Sequence, residues 1–153
     1  MAPDLSADAA RIGELVGGRS VGVAESCTGG LVAQALASVT GSMDWFRGGI
    51  VAYQRQLKQE VLGVAPGPVV TERVAKEMAE GAARLLDADV VVATTGAAGP
   101  DPLDGAPPGT VIVAVWAAGV ATATVCRFEG TPADVCAAAA RVALETLIDS
   151  LLV

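Results

Sequence analysis

The stretch VGVAESCTGG, Val21 to Gly30, runs from small β-formers into an acid, a hydroxyl, a thiol, a second hydroxyl and two glycines. Ser26 is the best-placed nucleophile in it. A serine hydroxyl is inert until a base takes its proton. The chain contains no histidine, so Ser-His and Cys-His pairs and histidine-bound metals are excluded. The remaining bases are carboxylates, Glu25 among them, and lysine. Of ten cationic residues only Lys58 and Lys76 are lysines, and an amine can lose its proton where a guanidinium cannot. An ordinary lysine has a pKa of about 10.4, so Lys58 needs burial or a nearby second cation to serve as a base. Tyr53, the one tyrosine, lies five residues before it and is placed to share a hydrogen-bond network with Lys58 and Ser26. Taken alone, Lys58 reads more readily as a solvated helix-face lysine. Lys76, among Glu72, Glu77 and Glu80, reads that way outright.

The rest of the cluster suits an anion. If a helix starts here, the amides of Cys27, Thr28, Gly29 and Gly30 point outward with the positive end of the helix dipole behind them. A phosphate or a developing oxyanion fits such a place, and two glycines let a ligand approach closely. Cys27 is an alternative nucleophile, since a helix start lowers a thiol pKa. The blander reading is a small buried thiol. A second glycine-rich loop, Thr94 to Pro100, supplies Thr94, Thr95, Gly96 and Gly99 as candidate contacts to a leaving group or ribose. Glu25 either orients Lys58 or caps the strand end.

The elements that must hold these groups follow from periodicity. Helical spacing marks 5–17, 28–39, 54–63, 71–86 and 132–152, with Thr28 or Ser26 as the natural cap of the second helix. Apolar runs mark strands at 21–24 and 45–53, 88–100 reads as a buried strand running into the second glycine-rich loop, and 110–118 with 120–128 reads as an antiparallel hairpin about Gly119. Helices interleaved with strands predict one α/β domain over 1–153, a three-layer α/β/α sandwich with a mixed, mainly parallel sheet. If the strands before the two loops are parallel neighbours, both loops open on the sheet edge where such folds bind ligands. Trp45 and Phe46 read as core, an oligomer contact or a stacking platform.

Composition narrows the function. The 153 residues carry a formal charge of −7 with no run of Lys or Arg, which argues against a sequence-independent nucleic-acid binder. No apolar stretch is long enough for a bilayer, and the acidic start, MAPDLSADAA, lacks the features of a signal peptide. A cytoplasmic location is expected. The three cysteines lack metal-ligand spacing. No metal or cofactor is expected. A symmetric homo-oligomer, a dimer by default, is the general expectation.

Together, AESCTGGLVAQAL, GSMDWFRGGIVAYQRQLKQEVLGV, VAKEMAEGAARLLDADVVVATTGAAGP and PPGTVIVAV resemble the CinA C-terminal domain family, over about residues 8–148. The combination of Ser-Cys-Thr-Gly-Gly, Tyr-x4-Lys and Thr-Gly-x-Ala-Gly-Pro carries the resemblance. Its enzymatically defined members are nicotinamide-nucleotide amidases. The resemblance implies an anticodon-binding-domain-like α/β/α fold and hydrolysis of the carboxamide of nicotinamide mononucleotide, giving nicotinic acid mononucleotide and ammonia. It makes Ser26 the nucleophile, with Lys58 and Tyr53 activating it. Amides near Cys27–Gly30 are then expected to hold the oxyanion, and the Thr95–Gly99 loop to position the nucleotide. A larger domain often precedes this one in the family, so the chain reads as a stand-alone form. The chain departs from the pattern near its end. Pro132 and Cys136 stand where the family usually has arginines, so a phosphate contact has to come from elsewhere, for instance Arg127 or Arg141. That departure motivates the alternative, a non-catalytic nucleotide-binding or regulatory module.

Overall fold

The computed structural model describes residues 3–153. Its elements are α1 (Ser6–Leu15), β1 (Val21–Glu25), α2 (Leu31–Ala37), a short 3-10 turn (Ser42–Asp44), β2 (Phe46–Val51), α3 (Arg55–Leu62), α4 (Glu72–Leu86), β3 (Val90–Ala97), β4 (Thr110–Ala117), β5 (Val120–Arg127) and α5 (Pro132–Leu151). The five strands form one sheet in the order β2-β1-β3-β4-β5. β1 pairs in parallel with β2 and β3, while β3 with β4 and β4 with β5 are antiparallel. Four strands therefore run one way and β4 alone runs against them.

Alternation along the strands sorts the core onto two faces. Val21, Val23, Val90, Val92, Val111 and Val113 pack under α1, α2 and α5, through Ile12, Leu36, Ala143 and Leu144 among others. Ala24, Val91, Ala93, Ile112 and Ala114 pack under α4 and the end of α3, through Met78, Ala82 and Leu62. Every residue of β1 and β3 is buried, as central strands covered on both faces require. The result is the α/β/α sandwich expected. Trp45 is buried in the first core and Phe46 packs partly against it, so both belong to the interior.

Two close approaches fix where α3 and β3 sit. A Cβ on Gly81 of α4 would overlap the Leu62 carbonyl of α3, so glycine allows these helices to touch. A Cβ on Gly96 would lie 2.8 Å from the Thr110 carbonyl and 3.1 Å from Cys27 Sγ. Gly96 thus brings the β1 turn, the β3 end and β4 together.

The start of α2 differs from expectation. The helix begins at Leu31, not at Thr28, and its cap residue is Gly30 at φ 106°, with no side-chain cap from Ser26 or Thr28. Gly29 is also left-handed, at φ 61°. Residues 27–30 form a turn first, closed by Gly29 N donating to Ser26 O and Leu31 N to Thr28 O.

Candidate active site

β1 and β2 end side by side, with Glu25 opposite Val51, and β3 runs parallel on the other flank of β1. Three strand ends therefore share one edge. The chain leaves β1 into the Ser26 turn, β2 into α3, and β3 into the long loop before β4. A cavity of about 350 Å³ opens there, lined by Ser26, Cys27, Tyr53, Arg55, Lys58, Val69, Gly96, Ala97, Ala98, Gly99, Asp101, Pro102 and Leu103.

Ser26 is buried, and its amide donates to Thr94 Oγ1 at 3.4 Å. Lys58 is only 2% exposed. Its ammonium donates to the Tyr53 carbonyl at 2.9 Å, the one hydrogen bond found for it among the described residues. Burial pushes the Lys58 pKa down; the Cys27 side chain opposes this and the Arg55 guanidinium adds to it. The amine is thus biased toward the neutral form that a base requires. Tyr53 contributes its carbonyl to Lys58, while its side chain is exposed at the cavity rim.

Cys27 also lines the cavity, but burial, aided by the neighbouring Cys136, pushes its thiol up to about 12. Cys27 lies four residues ahead of α2, and the nearby Glu25 adds to the upward push. The Glu25 carboxylate is buried and accepts from Val32 N and Ala33 N, each at 3.0 Å. Glu25 therefore caps α2 rather than orienting Lys58. Of the amides expected to meet an anion, that of Gly29 is used within the turn, donating to Ser26 O. The Cys27 and Thr28 amides, ahead of that cap, have no backbone partner among the described residues.

Of the residues expected from sequence, Ser26, Cys27, Tyr53, Lys58, Gly96 and Gly99 line the cavity together. Thr28, Gly29, Gly30 and Thr95 do not. Thr28 is buried and its hydroxyl shares a hydrogen bond of 2.8 Å with Thr94. Thr95 is buried and donates to Val69 O at 2.8 Å. Gly29 and Gly30 shape the turn. Sequence reasoning missed Arg55 and Asp101. Arg55 lies one helical turn before Lys58, a spacing that shares a face, and this signal was available. Arg55 pairs with both oxygens of Asp104, at 3.0 and 2.9 Å, and donates to Gly67 O. Asp104 also accepts from Val69 N at 2.9 Å. These bonds pin the loop after β3 over α3. The Arg55 guanidinium holds the Asp104 carboxyl below the usual carboxylate range, so the clip is an ion pair at neutral pH.

Neither arginine suggested for a phosphate reaches the cavity. Arg127 donates to Thr110 Oγ1, and Arg141 to Asp8 and the Asp4 carbonyl. Pro132 lines a neighbouring cavity of about 550 Å³ together with Glu129 and Asp134 and no cation. Cys136 donates from Sγ to the Cys27 carbonyl at 2.9 Å, which secures the Ser26 turn to α5. All three cysteines are free. Among the described residues, no group of three or more His, Cys, Asp or Glu is placed to hold a metal ion, and no helix is long and apolar enough to cross a membrane.

Known proteins share both this sequence and this fold. The model of the CinA C-terminal domain matches residues 9–151. A CinA-like protein of Mycolicibacterium vanbaalenii is 41% identical over 144 residues, 90% of this chain and 34% of that protein. A CinA-like protein of Mycobacterium avium is 45% identical over 104 residues, 62% of this chain and 24% of that one. The chain therefore spans about a third or less of the length of these relatives. Solved structures match it end to end. A competence-damaged protein (CinA) superfamily protein from Klebsiella pneumoniae superposes with a TM-score of 0.93 at 31% identity, covering 97% of this chain and 98% of that chain. The competence/damage inducible protein CihA from Agrobacterium tumefaciens superposes with a TM-score of 0.91 at 34% identity, covering 100% and 99%. Sequence and fold agree, and the chain belongs to the CinA C-terminal domain family.

Proposed function

We propose that the chain is an amidase that hydrolyses the carboxamide of nicotinamide mononucleotide. The observation that carries this reading is that Ser26 and a buried, pKa-lowered Lys58 line one cavity in a chain without histidine. A volume of about 350 Å³ lies within the range of small-ligand sites.

Neutral Lys58 Nζ takes the Ser26 hydroxyl proton as Oγ attacks the carboxamide carbon. The amide of Cys27, which lines the cavity, is the donor assigned to the oxyanion of the tetrahedral intermediate. Lys58 returns the proton to the departing nitrogen, and ammonia leaves an acyl-Ser26 ester. Water, deprotonated by the same amine, attacks the ester, releases nicotinic acid mononucleotide and restores Ser26. The high Cys27 pKa favours the hydroxyl over the thiol as nucleophile. Tyr53 holds the amine through its backbone carbonyl, and its exposed side chain lines the cavity.

Arg55 is the cation that fits the substrate phosphate. It lines the cavity, and its bonds to Asp104 and Gly67 leave part of its five-donor fork free. The Pro132 cavity is less suited, because Asp134 there is held below the usual carboxylate range by its hydrogen bonds to Thr131 and stays anionic.

The test is turnover of nicotinamide mononucleotide beside its phosphate-free riboside, with wild type and Arg55→Ala. The reading expects nicotinic acid mononucleotide and ammonia in equal amounts from wild type, and a KM raised roughly tenfold or more in the variant, the worth of one charge-assisted contact. Tight binding of the nucleotide with no product supports instead the regulatory module, which the replacement of two family arginines by Pro132 and Cys136 motivates.

A further inference from the structure

The charges that line the cavity do not balance. Arg55, Lys58 and Asp101 are its lining side chains of charged type. Arg55 is set against Asp104, which stands outside the lining. Lys58 acts as a base only when neutral, and burial pushes it that way. Asp101 is exposed, and neither a hydrogen bond nor an ion pair engages its side chain among the described residues. With Arg55 offset by Asp104 and Lys58 neutral, the reactive form of the site keeps one uncompensated carboxylate.

Asp101 is carried on a restrained segment. Pro100 and Pro102 flank it. Each ring fixes its own φ, and Pro102 also disfavours the helical conformation in the residue before it. Further along, Asp104 ties the loop to α3 through Arg55 and accepts from Val69 N at 2.9 Å. The carboxylate of Asp101 is also kept apart from the base. The Lys58 pKa responds to burial, Cys27 and Arg55, and Asp101 is not among the groups that move it. A carboxylate beside the amine would hold it protonated, so Asp101 adds negative charge to the cavity without disabling Lys58.

We propose that Asp101 is a specificity-determining residue that selects amides whose ring carries a positive charge. The assignment rests on the amidase reading and deepens it. A pyridine substituted on its ring nitrogen is a permanent cation, whereas free nicotinamide is neutral, so one carboxylate separates the substituted amide from the free one. Arg55 meets the phosphate and Asp101 the ring, and the two ends of a substrate bearing both signs of charge face opposite charges. The exposure of Asp101 sets the size of the effect. A charge pair open to water is worth about two- to fivefold in affinity, and it weakens as salt screens it.

Two probes that share the ring and the carboxamide measure the preference: 1-methylnicotinamide, a cation, and nicotinamide, which is neutral. NMR titration of the purified chain gives both affinities without turnover. Wild type is expected to bind the cation about two- to fivefold more tightly at low salt, and to lose most of that preference in about 1 M NaCl, where the Debye length is ~3 Å. Asp101→Asn is expected to lose the preference with its affinity for nicotinamide unchanged, and Asp101→Glu to keep it. A structural defect would weaken both probes alike. Turnover of nicotinamide mononucleotide by the same samples reports separately on the amidase reading, and there Asp101→Asn is expected to raise KM by the same factor with kcat little changed. Absence of a preference in wild type overturns the proposal. So does a preference that survives in Asp101→Asn, or one that salt leaves untouched. A preference lost in Asp101→Asn, with no turnover by wild type, upholds the charge site and removes the amidase reading.

Discussion

Lys58 is a long side chain held in the interior by one bond to the Tyr53 carbonyl. Burial of an amine costs stability while the unfolded chain keeps it protonated. Its folded pKa is lowered, so the cost is full below that folded value and disappears as pH rises toward about 10.4, the unfolded value. Lys58→Met keeps the packing of the stem and removes the amine. We expect it to raise the urea midpoint at pH 7 and to lower kcat at least 100-fold, the smaller end of general-base contributions. A lowered midpoint would show that the amine stabilises the fold. The rising limb of kcat/KM against pH should track the same group and fall below about 10.4; a limb at or above that value would contradict a lysine base set by burial. Ser26 stood out as a candidate from its place at the end of β1, whereas Lys58 taken alone read as a solvated lysine and became a candidate base only through the family resemblance. The burial of Lys58 was not legible, because spacing gives a helix face and only the packing of α3 on α4 says which face is covered.

At the scale of elements, the junction after β1 shows how residues of one short motif divide between lining a cavity and building a turn. Thr28 and the glycines were expected to meet a ligand and instead build the turn, and Glu25, expected to orient Lys58 or cap the strand end, caps α2. A side chain seven residues upstream can cap a helix only when a turn folds it back, and helical periodicity carries no record of that. We expect Glu25→Ala to destabilise the chain by about 1.5–3 kcal/mol, since it strands two amides that shared a charged acceptor; an unchanged urea midpoint would show the cap to be dispensable. Gly81→Ala should also cost at least about 1–3 kcal/mol, as overpacking does, because α3 has to move off α4. Since α3 carries Lys58, the same substitution should reduce turnover, whereas Glu25→Ala should leave the α3 side of the site in place. A Gly81→Ala chain with wild-type stability and rate would argue that this contact does not position the lysine.

For the whole molecule, the order of elements was enough to give the three layers and the mixed sheet, and the hairpin about Gly119 followed from alternation alone. Strand order was not readable, because pairing between distant strands leaves little trace in local pattern. The fold sets the cavity at one end of the sheet, where β1, β2 and β3 end, and leaves the lateral edge of β5 free. The account stands on the Ser26 hydroxyl. Its most direct test is ammonia release from nicotinamide mononucleotide by wild type and Ser26→Ala, with circular dichroism confirming that both are folded. The account predicts turnover by wild type and a loss of roughly 10³-fold or more in the variant. Ammonia release by a folded Ser26→Ala chain at the wild-type rate would contradict it.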